Sequence, residues 1–316
     1  MRRLVALIAA TIVTGLFSLY TPFAVADKTV ATTRSAATDK ASAPLRGTLY
    51  RVDHHGRSSY LFGTIHVGQA AFYPLEPQVM RALHAADRLV LELDIRDAAA
   101  FQQAIVKHAL YPDGQTIAAH LPADQLASLK AGLQRAGIPF DNVARMRPWM
   151  IANLLIVQTM ERNGYPAEEG LERYFLAIAE KEGKTVQELE SVDYQLALFD
   201  QLNDKQQQDY LAETLRGLAD GSELEQSVAL LDAWSRADSA KLRSLKQAML
   251  TDESVTSRFL EEILLNRRNP GMTDKIEALL NSDKKIFVAI GALHLIGAGS
   301  VPALLKQRGF RVKKIY

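Results

Sequence analysis

The chain has 316 residues, 48% hydrophobic and 23% charged, which suits one large globular domain or two small ones and excludes global disorder and a polytopic membrane protein. Lys plus Arg number 37 against 36 Asp plus Glu, so nothing in the charge balance points to a nucleic-acid surface. Cysteine is absent, which excludes a disulfide framework, a thiolate nucleophile and a Cys-based zinc site.

The first element is an address. Arg2 and Arg3 precede an apolar run from Leu4 to Phe17, and Ala24-Val25-Ala26 offers a small-x-small cleavage site before Asp27. This is the three-part pattern of a secretory signal peptide over residues 1–26, and cleavage places the protein in the periplasm or outside the cell. The rival is an uncleaved anchor, the one route to a membrane that the sequence offers: Leu4–Phe23 is just long enough to span a bilayer, although Ser18, Thr21 and Pro22 weaken its end. Residues 27–45 are rich in Ala, Thr, Ser and Lys, have no apolar period and read as a flexible linker, so the domain covers 46–316.

Thr48–Val52 and Tyr60–Ile65 read as strands flanking a polar turn, Asp53–Ser59, with hairpin chemistry at His55-Gly56-Arg57-Ser58. Pro74 opens a helix through Ala86, and Arg88–Leu93 is a compact apolar strand. Helical patterns follow at Ala98–Ala109, Ala123–Ala136, Pro148–Arg162 and Glu169–Lys181, then a strand at Thr185–Leu189. Further helices are predicted over Tyr194–Leu202, Lys205–Ala219, Glu223–Trp234, Ser239–Met249, Ser254–Leu265 and Lys275–Leu280. Lys285–Ile290 is the clearest buried strand, followed by a short helix Val301–Gln307 and a last strand Phe310–Ile315. Strands cluster at both ends of the chain. The expected fold is α/β, a central sheet built from N- and C-terminal strands and carrying a large helical insertion.

Two segments echo each other. Tyr60-Leu-Phe-Gly63-Thr-Ile-His66 and Phe287-Val-Ala-Ile-Gly291-Ala-Leu-His294 are apolar strands that run into Gly-x-x-His. Ligands of α/β sheets sit at the carboxyl ends of strands, and glycine there permits close backbone approach. Side by side, the two units would bring two imidazoles to one crevice. Glu92 and Asp94 end a third apolar run and, two apart, would share one side of an extended chain. Two histidines with one or two carboxylates can hold Zn, Mn, Co or Fe with positions open to water, whereas a single strand-end histidine is more often a packed, hydrogen-bonded residue.

Other signals are weaker. Gly183-Lys184-Thr185 lacks the first P-loop glycine, the position being Ile178, and Gly297-Ala-Gly299 meets Pro302 where a dinucleotide fingerprint needs glycine. His54, His55, His84, His108 and His120 fall in turns or helical stretches, with surface or cap roles expected. Arg267-Arg268-Asn269-Pro270 reads either as the basic end of an amphipathic helix or as an oxyanion or carboxylate site.

Five segments in order, Leu49–Gly68, Leu89–Asp94, Gly170–Ser191, Asn266–Met272 and Phe287–Gly297, make the domain resemble the TraB/GumN family, which includes the Tiki group of metal-dependent membrane proteases. The resemblance implies an erythromycin-esterase/ChaN/Tiki-like fold. It implies a site of His66, His294 and Glu92, with Glu190, Arg268 and Asn269 beside it and Gly63 and Gly291 as the motif glycines. It also implies a divalent metal (Mn, Co or Zn) and a peptide or secreted-protein substrate. On this reading His66 and His294 hold the metal, Glu92 is ligand or general base, and Arg268 and Asn269 steady an oxyanion or substrate carboxylate. The alternatives are a non-catalytic periplasmic protein that sequesters a peptide, and a metal- or haem-handling protein.

Overall fold

The computed structural model describes residues 44–282 and 284–316; the expected signal peptide 1–26, and all but the last two residues of the expected linker 27–45, lie outside the described residues. Among the described residues no helix is long and apolar enough to cross a membrane.

The fold is mixed α/β with mostly helical content. Among the described residues one six-stranded sheet uses β1 (Leu49–His54), β2 (Arg57–Thr64), β3 (Arg88–Leu91), β4 (Thr185–Glu188), β5 (Ile286–Gly291) and β6 (Arg311–Lys314), in the order β4-β3-β5-β2-β1-β6. N- and C-terminal strands interleave as the strand distribution suggested. β2, β5, β3 and β4 run parallel, and β1 is antiparallel to both β2 and β6. The hairpin is tighter than expected. Its strands pair as far as His54 and Arg57, and the two central residues both take positive φ, His55 at 47° and Gly56 at 74°, as a two-residue turn requires.

β5 shows why the run Ile286–Ile290 is apolar on every residue. Phe287 and Ala289 join a core on one side of the sheet with Phe62, Phe175, Leu230 and Trp234. Ile286, Val288 and Ile290 join a second core on the other side with Met272, Ile276, Val301 and Leu305. A strand covered on both faces cannot afford a polar residue on either.

Several boundaries differ from the pattern. The helix expected from Pro74 starts at Pro77, after a 3-10 turn at Ala70–Phe72, and the one expected over Tyr194–Leu202 is an α-helix, Val192–Ala197, continued by a 3-10 turn, Leu198–Gln201. Arg267-Arg268-Asn269-Pro270 does not end a helix. The chain passes from α-helix Val255–Arg258 through a π-helical stretch, Phe259–Arg267, into α-helix Arg268–Leu280. The wider register ahead of Pro270 lets the helix pass a residue with no backbone N–H, and it turns Arg268 and Asn269 inward, where both are buried.

Candidate functional site

The sheet register assembles the site. Parallel pairing of β2 with β5 sets Gly63 beside Ile290 and Thr64 beside Gly291, so both Gly-x-x-His segments leave the sheet at one edge. β3 lies on the other side of β5, with Leu91 opposite Ala289. Beyond the end of β3 the backbone bond from Glu190 N to Glu92 O, 3.0 Å, holds the two glutamates side by side.

Glu92 is the centre. Its Oε2 accepts from Gly291 N at 3.1 Å and lies 3.7 Å from His294 Nε2. Its Oε1 accepts from Gln195 Nε2 at 3.1 Å and from Arg268 Nη2. Arg268 also donates from Nε to both oxygens of Glu190, at 3.2 and 3.0 Å, and from Nη2 to Glu190 Oε2 at 2.6 Å. Gln195 reaches Glu190 as well, at 3.0 Å. Burial pushes the Glu92 carboxyl up, but the Arg268 guanidinium and then the two imidazoles outweigh it and hold the group well below the usual carboxylate range.

The histidines are held differently. Asn269 donates from Nδ2 to Gly299 O at 2.8 Å, which fixes its amide so that Oδ1 faces His294 Nδ1 at 2.6 Å. His294 therefore carries its proton on Nδ1, and Nε2, buried and without a hydrogen-bond partner among the described residues, presents a lone pair toward Glu92. Burial takes the His294 pKa down to about 3, so the ring is neutral. His66 instead sets Nδ1 against Glu172 Oε1 at 3.0 Å, an oxygen that also accepts from Thr64 Oγ1 at 2.7 Å. Burial disfavours the imidazolium there, but Glu172 overcomes it and raises the His66 pKa above its ordinary value.

The three side chains converge on Gly291. A Cβ built on Gly291 would stand 3.4 Å from Glu92 Oε2, 3.4 Å from His294 Cδ2 and 3.7 Å from His66 Nε2. The backbone of Gly291 is ordinary and a Cβ would sit in normal contact, but any side chain longer than a methyl would reach into the space the three polar groups share. Gly63 is tight for another reason, its Cβ position being 3.0 Å from Ala292 Cα at the start of the His294 turn. The sequence suggested a strand-end crevice. The structure has there a small half-open pocket of about 20 Å³ lined by His66, Glu92, Gly291, His294 and, from helix Ser222–Ser235, Leu230. That is room for about one water-sized occupant.

Asp94 is not part of this arrangement. β3 ends at Leu91, the chain turns, and the Asp94 carboxylate pairs with Arg96 at 2.5 Å on the surface side. His108 departs from its expected surface role: it is buried, with Nδ1 2.6 Å from Asp200 and Nε2 2.9 Å from Asp193, in a cluster of its own. Two members of the site were missed, Glu172 and Gln195. Glu172 had a readable signal, because it occupies the apolar face of helix Leu171–Lys181 at helical spacing with Phe175, Leu176 and Ala179, where a lone carboxylate needs a partner.

A divalent ion is what the resemblance implies, and the donors can be tested for fit. Among the described residues no group of three or more His, Asp or Glu stands ready at metal-binding spacing. The chemistry nevertheless fits: a neutral imidazole nitrogen with no partner, a second imidazole backed by a carboxylate, and an ionised carboxylate around a one-atom cavity.

Comparisons with known proteins bear on the same region. The family model described as TraB/PrgY/gumN matches residues 48–314. The uncharacterized protein YbaP of Shigella flexneri and that of Escherichia coli K12 are each 28% identical over 262 residues, covering 79% of this chain and 88% of theirs. The metalloprotease TIKI2 of Danio rerio is 27% identical over 303 residues, covering 81% of this chain and 58% of that protein. The chain thus spans well under two thirds of that metalloprotease's length. No solved structure matches. With every motif segment inside the matched region, the chain belongs to the TraB/PrgY/gumN family.

Proposed function

We propose that this protein is an exported metal-dependent hydrolase acting on peptides, with His66, His294 and Glu92 as the residues that would hold a divalent metal. The observation that carries the reading is the buried, unpartnered Nε2 of His294 facing an ionised Glu92 across a one-atom cavity. Kinship with proteins named metalloproteases supplies the reaction class. A divalent ion bound there would supply Lewis acidity and a water nucleophile near neutral pH. The chain's own residues do the positioning. Asn269 keeps the His294 lone pair on Nε2, and Glu172 orients His66. Arg268 keeps Glu92 ionised, and Glu190 and Gln195 hold Arg268 and Glu92 in place. Arg268 gives Nε and Nη2 to the two carboxylates and one Nη1 bond to Leu264 O, so most of its donors are engaged and we assign it to positioning and not to an oxyanion.

The size of the cavity favours a second reading, a protein that holds a metal ion without turning over peptide, since about 20 Å³ takes one water-sized occupant and not a peptide group beside an ion. One experiment tests both. The full chain is loaded with Mn, Co or Zn, dialysed, assayed for metal content and offered a mixed peptide pool with and without chelator, beside His294→Ala. Stoichiometric metal lost in His294→Ala, with chelator-sensitive cleavage, supports the hydrolase. Metal retention without cleavage supports the second reading, and absence of metal binding refutes both.

A further inference from the structure

At the same edge of the sheet, on the far side of β2, lies a cleft of about 370 Å³. Its cations are Arg243, Lys306 and Lys314, its hydroxyls include Thr48, Tyr50 and Ser239, and no acidic residue lines it. Antiparallel pairing of β1 with β6 sets Tyr50 directly opposite Lys314, so the two side chains share one face. Lys314 Nζ donates to Ser239 Oγ at 2.6 Å, and Ser239 Oγ lies 3.5 Å from Thr48 Oγ1. Among the described residues none of the three cations has an ion-pair partner, although exposed cations elsewhere do, as Arg308 with Asp274 and Glu277 or Arg236 with Asp232. The crowding is felt: burial and then the Arg243 charge lower the Lys314 pKa.

Like charges gathered around hydroxyls, with no acid to neutralise them, form a site that an anion completes. We propose that this cleft binds a small, multiply charged oxyanion, a phosphate ester or a polycarboxylate. The guanidinium offers a planar fork, the ammonium groups offer point charges, and the hydroxyls of Ser239 and Thr48 can donate to oxygens the cations leave free. The volume is that of a small-molecule site and exceeds inorganic phosphate. The cleft is separate from the histidine cluster but shares a wall with it. Leu295 and Ile296 of that wall follow His294, Tyr50 Oη donates to Leu295 O at 3.2 Å, and Lys246 Nζ straps Leu293 O and Ile296 O at 2.9 and 2.6 Å. The inference does not rest on the hydrolase reading.

Calorimetric titration of the full chain with inorganic phosphate and, separately, with citrate tests it, the tighter of the two showing which kind of oxyanion the cleft prefers. We expect saturable binding that weakens with added salt and loses roughly ten- to a hundredfold in the double variant Arg243→Gln/Lys314→Gln. Lys306→Gln, at an exposed side chain with no hydrogen bond to lose, is expected to weaken binding in the same direction and serves where the double variant does not fold. No saturable binding of either anion, or binding that survives these substitutions, would overturn the assignment.

Discussion

Arg268→Leu is the most informative single perturbation of the cluster. The side chain is only 3% exposed, and its guanidinium is shared by Glu92 and Glu190, themselves buried. Leucine removes the cation and leaves two carboxylates facing each other out of water. Breaking a buried pair on one side costs about 3–5 kcal/mol. For a domain of this size that is a fall in Tm of about 6–20 °C. The pH dependence gives the cause. In the wild type the Glu92 carboxyl is depressed, so its contribution is present above the unfolded carboxyl value of about 4.3 and fades as pH falls through the folded one. In Arg268→Leu burial acts on Glu92 without the guanidinium and its carboxyl rises. The folded state then binds more protons than the unfolded state, and stability recovers as pH falls from 7 toward about 5. Urea unfolding of chelator-treated protein at both pH values measures this. A loss below about 1 kcal/mol at pH 7, or a deficit that widens at pH 5, would refute the idea that Arg268 is the internal counter-ion.

Gly291→Val is expected to abolish metal binding by calorimetry, because its side chain would enter the space between Glu92 and both histidines; Gly56→Val, whose Cβ meets nothing within 4 Å but whose φ is +74°, should lose about 1–2 kcal/mol of stability and keep the metal. Glu172→Gln should lower the His66 pKa in an NMR titration. Since a raised imidazole value stabilises the fold below the unfolded pKa and loses that effect as pH rises through the folded one, the variant should be destabilised more at pH 5.5 than at pH 8. Metal uptake at pH 6 should release one proton from the imidazoles and not two, measured by calorimetry in buffers of different ionisation heat, since His294 is already neutral. Intact mass of protein recovered from the periplasm should show a chain beginning at Asp27; retention of Arg2 and Arg3 would favour the anchor.

What the sequence could reveal followed from local pattern. The strands at both ends, the buried β5 and the Gly-x-x-His echo are repeats of polarity within a few residues, and the parallel register of β2 on β5 converts that echo into one site. Asp94 was misplaced because strand period was extended past Leu91, where a turn ends it. The helix through Arg268 and Asn269 was broken too early because Pro270 normally stops a helix, and only the π register explains why it does not. Gln195 left no sequence signal, since a glutamine in a short helix is unremarkable until the carboxylates it bridges, 103 and 5 residues away, are brought to it.

The charge of the cluster argues for the kind of ion it suits. Glu92 and Glu190 share one guanidinium, Arg268, while the third buried glutamate, Glu172, pairs with His66, and His294 is neutral. Three buried carboxyl groups beside one fixed cation form a site short of positive charge, a costly state. Glu172 raises the His66 pKa and so favours a proton on that imidazole. A divalent cation would bring two positive charges to the same space, where a proton or a monovalent cation brings one. The pairing of His66 with a carboxylate and of His294 with a neutral amide therefore has a consequence beyond orientation. It leaves the Nε2 lone pair of one imidazole available and favours a proton on the other.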